Sequence, residues 1–207
     1  SDLNLKLLAY AGGRLHLAKL STSKSIGLIR SAKSKMNITC DIAAYQPLLL
    51  DTMLAGFDTN YKVNPPLREK SDNDALIKGL IDGTIDVISS GHVPHDEESK
   101  SIEFDLADAG IINLQTFAAN LVSLSEHVNW DILIDKVTDA PRAVLNLEAP
   151  VIDMEAKANL TLLDPNHTWT FDKETNLSKG KNSPWLGQSL TGKAVAVFNN
   201  GRHWFDL

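Results

Sequence analysis

The stretch Asp82-Gly83-Thr84-Ile85-Asp86-Val87-Ile88-Ser89-Ser90-Gly91-His92-Val93-Pro94-His95 decides the fold. Ile85 to Ile88 is a short apolar run, the mark of a strand buried on both faces. Ahead of it, Ser71-Asp72-Asn73-Asp74 offers helix caps, Ala75, Leu76, Ile77 and Leu80 an apolar face, and Gly83 a stop. Behind it the chain breaks into a polar knot from Ser89 to His95. Helix, buried strand and polar loop in that order are the rhythm of a parallel α/β sheet or barrel. Such folds collect their chemistry just past the C-terminal ends of the strands.

Toward the N-terminus the rhythm repeats. Leu3, Leu5, Leu7 and Leu8 predict the end of a helix that Gly12-Gly13 stops. Arg14 to Leu20 predicts a short buried strand, and Ser21-Thr22-Ser23 caps a helix carrying Ile26, Ile29 and Ala32 on one face. Asn37 to Ile42 is the next strand. A loop-rich stretch then runs to Val63-Asn64-Pro65-Pro66, where two prolines impose extended backbone. Toward the C-terminus, 111–126 predicts the longest amphipathic helix, 130–137 a shorter one, and Asp139-Ala140-Pro141-Arg142 opens another. From Asn159 the character becomes β: Leu160–Leu163, Trp169–Phe171 and Ala194–Phe198 predict strands, with Asn200-Gly201 as a hairpin turn.

The 207 residues are 43% hydrophobic and carry a net charge of -6, enough for a real core and too acidic and evenly spread for a phosphate-binding face. Neither nucleic acid nor membrane is an expected partner: no apolar run approaches the roughly 20 residues of a bilayer span. Lone Cys40 fits a reducing, cytoplasmic setting and has no neighbouring base to make it a nucleophile. The first residue is Ser1, with no initiating Met and no basic-then-apolar leader, so either processing or an upstream segment is expected.

Three strand ends carry candidate chemistry: His16-Leu17-Ala18-Lys19, Asp41 to Gln46, and Gly91 to His95. His92 and His95 read either as half of a metal site, which needs three or four ligands, or as loop histidines bonded to backbone. His16, inside a strand, reads as a core-satisfied histidine; His127, His167 and His203 read as surface residues.

Asp58-Thr59-Asn60-Tyr61-Lys62-Val63-Asn64-Pro65-Pro66-Leu67-Arg68 resembles the segment that dihydroorotases carry after their sixth barrel strand. Asp82 to Ile88 with His92-Val93-Pro94-His95, then Gly110 to Thr116, resemble their run through the eighth strand into the next helix. Ala158-Asn159-Leu160 with Asp164-Pro165, Asn182-Ser183-Pro184-Trp185-Leu186-Gly187 and Asn200-Gly201-Arg202 resemble the C-terminal tail. The ordered set implies an α/β fold: the second half of a (β/α)8 TIM-type amidohydrolase barrel over 1–150, supplying strands five to eight. The C-terminal strands of a small β-sandwich would occupy 151–207.

The resemblance also implies a reaction, the reversible cyclisation of carbamoyl-aspartate to dihydroorotate in pyrimidine synthesis, with zinc as the family's cofactor. Here the implied ligand positions hold Lys19, Tyr45 and Gly91 instead of His, His and Asp, and Ala44 and Gln46 flank the second. An ammonium repels a cation and Gly91 can neither ligate nor move a proton. The expectation is therefore a non-catalytic homologue with no metal and no catalytic residue. It would be kept as a homo-oligomer or as a scaffold for an aspartate transcarbamoylase-type partner. An active enzyme with an altered metal site is the alternative, and a binding protein for another small ring compound a third reading. Asn64 and His95 occupy places that lie near the substrate ring in relatives, so they are the expected substrate-side residues; Pro65, Pro66 and Pro94 offer loop geometry as the other explanation.

Overall fold

The computed structural model describes residues 2–206. Helix α1 (Asp2–Ala11) leads to strand β1 (Leu15–Leu17), then α2 (Ser23–Ala32), β2 (Ile38–Ala43), α3 (Lys70–Ile81) and β3 (Val87–Ser89). The three strands form one parallel sheet in the order β1-β2-β3, with Leu15 beside Ile38 and Asp41 beside Val87. Helices follow as α4 (Phe117–Leu124), α5 (Trp130–Val137) and α6 (Asp139–Leu145). An antiparallel sheet of β4 (Leu160–Phe171), β5 (Gln188–Asn199) and β6 (Arg202–Phe205) ends the chain.

The main core lies between the parallel sheet and its helices. Ile26 and Ile29 of α2, Leu76 and Leu80 of α3, and Leu133 of α5 meet Ile38, Cys40 and Ile42 of β2. Thr22 caps α2 by accepting from the Ser25 N–H at 3.2 Å, and Asp72 of α3 accepts from the Ser23 N–H at 2.7 Å. Gly79 lets α3 close on the turn before β3, since a Cβ there would lie 2.9 Å from Ile85 Cδ1. In the C-terminal layer α4 packs on β5 at Gly192, whose φ of +100° and contact with Val122 leave no room for a side chain.

Four expectations change. The parallel sheet has three strands where four barrel strands are expected, because residues 44–68 form turns, two 3-10 segments and a cis Asn64–Pro65 bend. The helix expected over 111–126 shrinks to α4. Ile112 N–H donates to the Asn182 carbonyl and Asn113 N–H to His92, so those residues stay extended. Helix α3 starts at Lys70, one residue ahead of the expected cap, so Ser71 to Asp74 lie within its first turns and Asp72 caps the neighbouring helix instead. The expected strands 160–163 and 169–171 are one strand, with a register irregularity between Asp164 and Thr168. Among the described residues no helix is long and apolar enough to cross a membrane.

Candidate functional site

Side chains alternate across a strand, so one face of β1-β2-β3 feeds the helix-side core and the other carries His16, Thr39, Asp41, Ala43 and Ser89. On that second face the parallel register sets His16 beside Thr39. Its ring bridges β2: Nδ1 lies 2.8 Å from Thr39 Oγ1 and Nε2 2.9 Å from Asp41 Oδ2. The other Asp41 oxygen accepts from the Lys19 backbone N–H at 2.9 Å and from the Ser89 hydroxyl at 3.3 Å. A buried carboxylate is costly unless its lone pairs are matched, and here three donors match them. His16 is thus satisfied through both ring nitrogens, though part-buried on the sheet face rather than in the core as expected.

The three expected ligand positions fall just past the three strands, which is what the sequence implies. Lys19 follows β1 in left-handed backbone, φ +51°, where its N–H turns back to Asp41. Tyr45, 2% exposed, sits in an apolar cluster with Ala43, Leu49, Val63, Ile111, Phe171 and Trp185. Burial pushes its phenol up to about 12. Gly91 has φ +62°, and a Cβ there would lie 2.7 Å from Tyr45 Cε1 and 2.5 Å from Ala43 Cβ. The tyrosine ring and Ala43 therefore fill the space into which a side chain at 91 would grow.

These groups do not fit zinc. A zinc site takes thiolate, imidazole or carboxylate lone pairs; these positions hold an ammonium, a buried phenol held neutral and a residue with no side chain. Gln46 completes the mismatch: its Oε1 accepts from the Ala43 N–H at 2.7 Å, leaving the buried Nε2, a donor, without a partner among the described residues. Among those residues no group of three or more His, Cys, Asp or Glu is arranged to hold a metal ion.

His92 and His95 take the loop role. Nδ1 of His92 accepts from the backbone N–H groups of Asn113 (2.9 Å) and Leu114 (3.2 Å), and burial lowers the ring's pKa. His95 places Nε2 3.3 Å from the Ala109 carbonyl and Nδ1 3.5 Å from the Asp108 carboxylate. Asn182 pins the same loop: Oδ1 accepts from His95 N–H, and Nδ2 donates to the Val93 and Gly110 carbonyls. Asn64 is exposed at the cis bend, two residues beyond Lys62, whose carbonyl accepts from Gly110 N–H. The two expected substrate-side residues thus flank one loop system without a mutual hydrogen bond.

Lys62 and the buried Lys100 hold the adjoining segment through backbone carbonyls. Lys62 Nζ donates to the Phe104 and Asp105 carbonyls, and Lys100 Nζ to that of Asp108; burial holds the Lys100 ammonium below its ordinary pKa. The sequence places Asp41 at a candidate strand end and Asn182 in the tail resemblance without giving either a partner, and gives no role to Lys100. Asp41 was the findable one, a carboxylate inside an otherwise apolar strand; the carbonyl partners of Asn182 and Lys100 have no linear signature. Cys40 is inert as expected, fully buried, with burial and the Asp86 carboxylate pushing its thiol up to about 12.

A groove of about 1160 Å³ lies elsewhere, between α4, α5 and the antiparallel sheet, and is lined by Trp130, Trp169 and Trp204. A smaller cavity of about 350 Å³ adjoins it beside His92 and Phe171. Neither is lined by Lys19, Asn64, Tyr45, Gly91 or His95.

No family model matches the chain. It is 38% identical over 202 residues to a dihydroorotase of Pelobacter propionicus, covering 96% of this chain and 48% of the relative. The dihydroorotase of Bacillus subtilis is 40% identical over 201 residues, covering 95% and 47%. The chain spans about half the length of the curated relatives it matches. Among solved structures, the L-hydantoinase of Arthrobacter aurescens superposes with a TM-score of 0.87 at 23% identity, over 98% of this chain and 47% of that one. An inactive dihydroorotase-like domain of a Chaetomium thermophilum CAD-like multifunctional protein superposes with a TM-score of 0.71 at 22% identity, over 98% and 55%. At these identities the structural neighbours show the fold alone. Along nearly its whole length, the chain is a homologue of proteins named dihydroorotase, matching about half of each.

Proposed function

We propose that the chain is the C-terminal half of a dihydroorotase-type barrel, with its sandwich strands, that has lost metal-dependent catalysis and serves pyrimidine biosynthesis as a scaffold. One observation carries this reading: the Tyr45 ring and Ala43 occupy the volume that a side chain at Gly91 would need. Three ligand positions are changed, and at one of them, Gly91, a side chain would meet both Ala43 Cβ and the Tyr45 ring that stands at another. A site that had merely lost one ligand would leave a vacancy; this one is packed. The Chaetomium thermophilum neighbour, described as an inactive dihydroorotase-like domain, is a precedent for the same fate of this fold.

On this reading residues 1–150 are the barrel segment and 151–207 the sandwich segment, working in the cytoplasm. Asn64 and His95 remain as the substrate-side frame around which no hydrolysis occurs. A transcarbamoylase or a second copy of the chain is the partner, since assembly needs only an intact complementary surface. The test is carbamoyl-aspartate cyclisation by the purified protein in zinc-supplemented buffer, alongside co-purification with an aspartate transcarbamoylase. No turnover together with a stable complex is the expected result. Zinc-dependent turnover would refute the loss of catalysis, and failure to bind any such partner would refute the scaffold.

A further inference from the structure

The antiparallel sheet has two edges, and they differ. Along β4 the register slips between Asp164 and Thr168, around Pro165, which breaks that edge for a further strand. β6 is the other edge, and Arg202, His203, Trp204 and Phe205 are all exposed on it.

The β6 backbone has a fixed orientation. Asp206 N–H donates to the Val195 carbonyl, and the register sets Phe205 beside Ala196, Trp204 beside Val197 and His203 beside Phe198. Antiparallel pairs alternate between hydrogen-bonded and non-bonded. Arg202, Trp204 and Asp206 therefore turn their backbone groups to β5, and His203 and Phe205 turn theirs outward. Side chains alternate as well. Trp204 and Asp206 line the 1160 Å³ groove, and Arg202 shares their face. His203 and Phe205 lie on the opposite face, with ring centroids 6.3 and 5.5 Å from that of Phe198.

This pattern is complementary to itself. Place a second β6 antiparallel to the first about a two-fold axis at Trp204. His203 then meets Phe205 of the second copy, outward groups face outward groups, and each such pair exchanges two backbone hydrogen bonds. Arg202 stands opposite Asp206 of the second copy in a non-bonded pair, the class in which side chains lie closer. Lys193 holds Oδ2 of Asp206, and a carboxylate has a second oxygen for the guanidinium. A slip of two residues either way sets Arg202 or Asp206 against Trp204 and loses the charge match.

We propose that two copies of the chain associate through β6 in this register, joining their three-stranded sheets into one. The inference specifies the second-copy partner of the proposed function and rests on that part of it, not on the loss of catalysis.

So short an edge buries less than a standard interface, so the dimer is expected to dissociate on dilution in sedimentation equilibrium of the full chain. H203P removes an outward N–H and spares the β5 ladder; it is expected to leave a monomer with an unchanged far-UV signal. R202E and D206R are each expected to weaken self-association by roughly tenfold and to associate with one another when mixed. W204C places thiols about 4.5 Å apart at Cα, within disulfide reach, and is expected to cross-link on oxidation. H203C, off the axis, is expected not to, and native Cys40 is buried. A chain monomeric at every concentration, a dimer unaffected by H203P, or equal cross-linking of H203C would overturn the proposal. A dimer surviving H203P would put the second copy on another surface and leave the scaffold reading intact. Zinc-dependent turnover would end that reading while β6 pairing stood.

Discussion

Replacing Gly91 by Ala tests the packed site without adding any chemistry. Two costs follow from the structure. The backbone at 91 is left-handed, φ +62°, which costs an ordinary side chain roughly 1–2 kcal/mol. The new methyl would also lie 2.5 Å from Ala43 Cβ and 2.7 Å from Tyr45 Cε1, an overpacking cost of about 1–3 kcal/mol. G91A should therefore destabilise the chain by about 2–5 kcal/mol, read as a fall in the urea midpoint at constant slope. Part of this belongs to the ring, so the cost should shrink by roughly 1 kcal/mol in a Y45A background, and similarly in A43G. Y45A alone, which removes a buried aromatic, should cost about 3–5 kcal/mol. A loss below about 0.5 kcal/mol for G91A, or strict additivity with Y45A, would refute the interlock.

Other expectations follow from the same face and core. D41A strips the acceptor from the His16 ring, the Lys19 N–H and the Ser89 hydroxyl and should cost about 2–4 kcal/mol, measured by denaturant titration. L133A removes a fully buried side chain of α5 and should cost about 2–5 kcal/mol, whereas L145A, at an exposed position, should cost little. The thiol of Cys40 and the phenol of Tyr45 are both raised on folding, from 9.0 and 10.0 to about 12. The stability they lend is complete below about pH 9 and is lost as pH rises toward 12. An alkaline melting series should show that decline, weaker in C40A. At neutral pH a thiol reagent should label Cys40 only on unfolding.

Much of the architecture was legible because it rests on short-range signals. The period of Ile26, Ile29 and Ala32, the cap at Thr22, and the hairpin at Asn200-Gly201 all lie within one turn or two of chain. The failures are tertiary. The apolar run from Ile111 reads as helix, but its N–H groups are claimed by Asn182 and His92, far away in sequence. The cap read into Ser71 to Asp74 is real chemistry assigned to the wrong helix, since Asp72 serves α2.

The site divides the same way. That Lys19, Tyr45 and Gly91 stand at strand ends was visible from motif order. That Tyr45 fills space beside Gly91 was not, because their contact links residues 46 apart through a volume only coordinates define. The polar bridge from His16 to Asp41 was half visible: the histidine was placed as satisfied, its partner left unnamed. Reintroduced ligands should meet these constraints. G91D alone gains from the tolerance of Asp for left-handed backbone but keeps the clashes with Ala43 and Tyr45, so zinc binding is not expected from that substitution by itself.

The most direct test is elemental analysis of the purified full chain after equilibration with zinc and exhaustive dialysis, with K19H/Y45H/G91D treated identically. The wild-type protein should retain far less than one zinc per chain. Retention of one or two tightly held ions by the wild type, lost on Y45F or K19A, would contradict the claim that these positions no longer form a metal site.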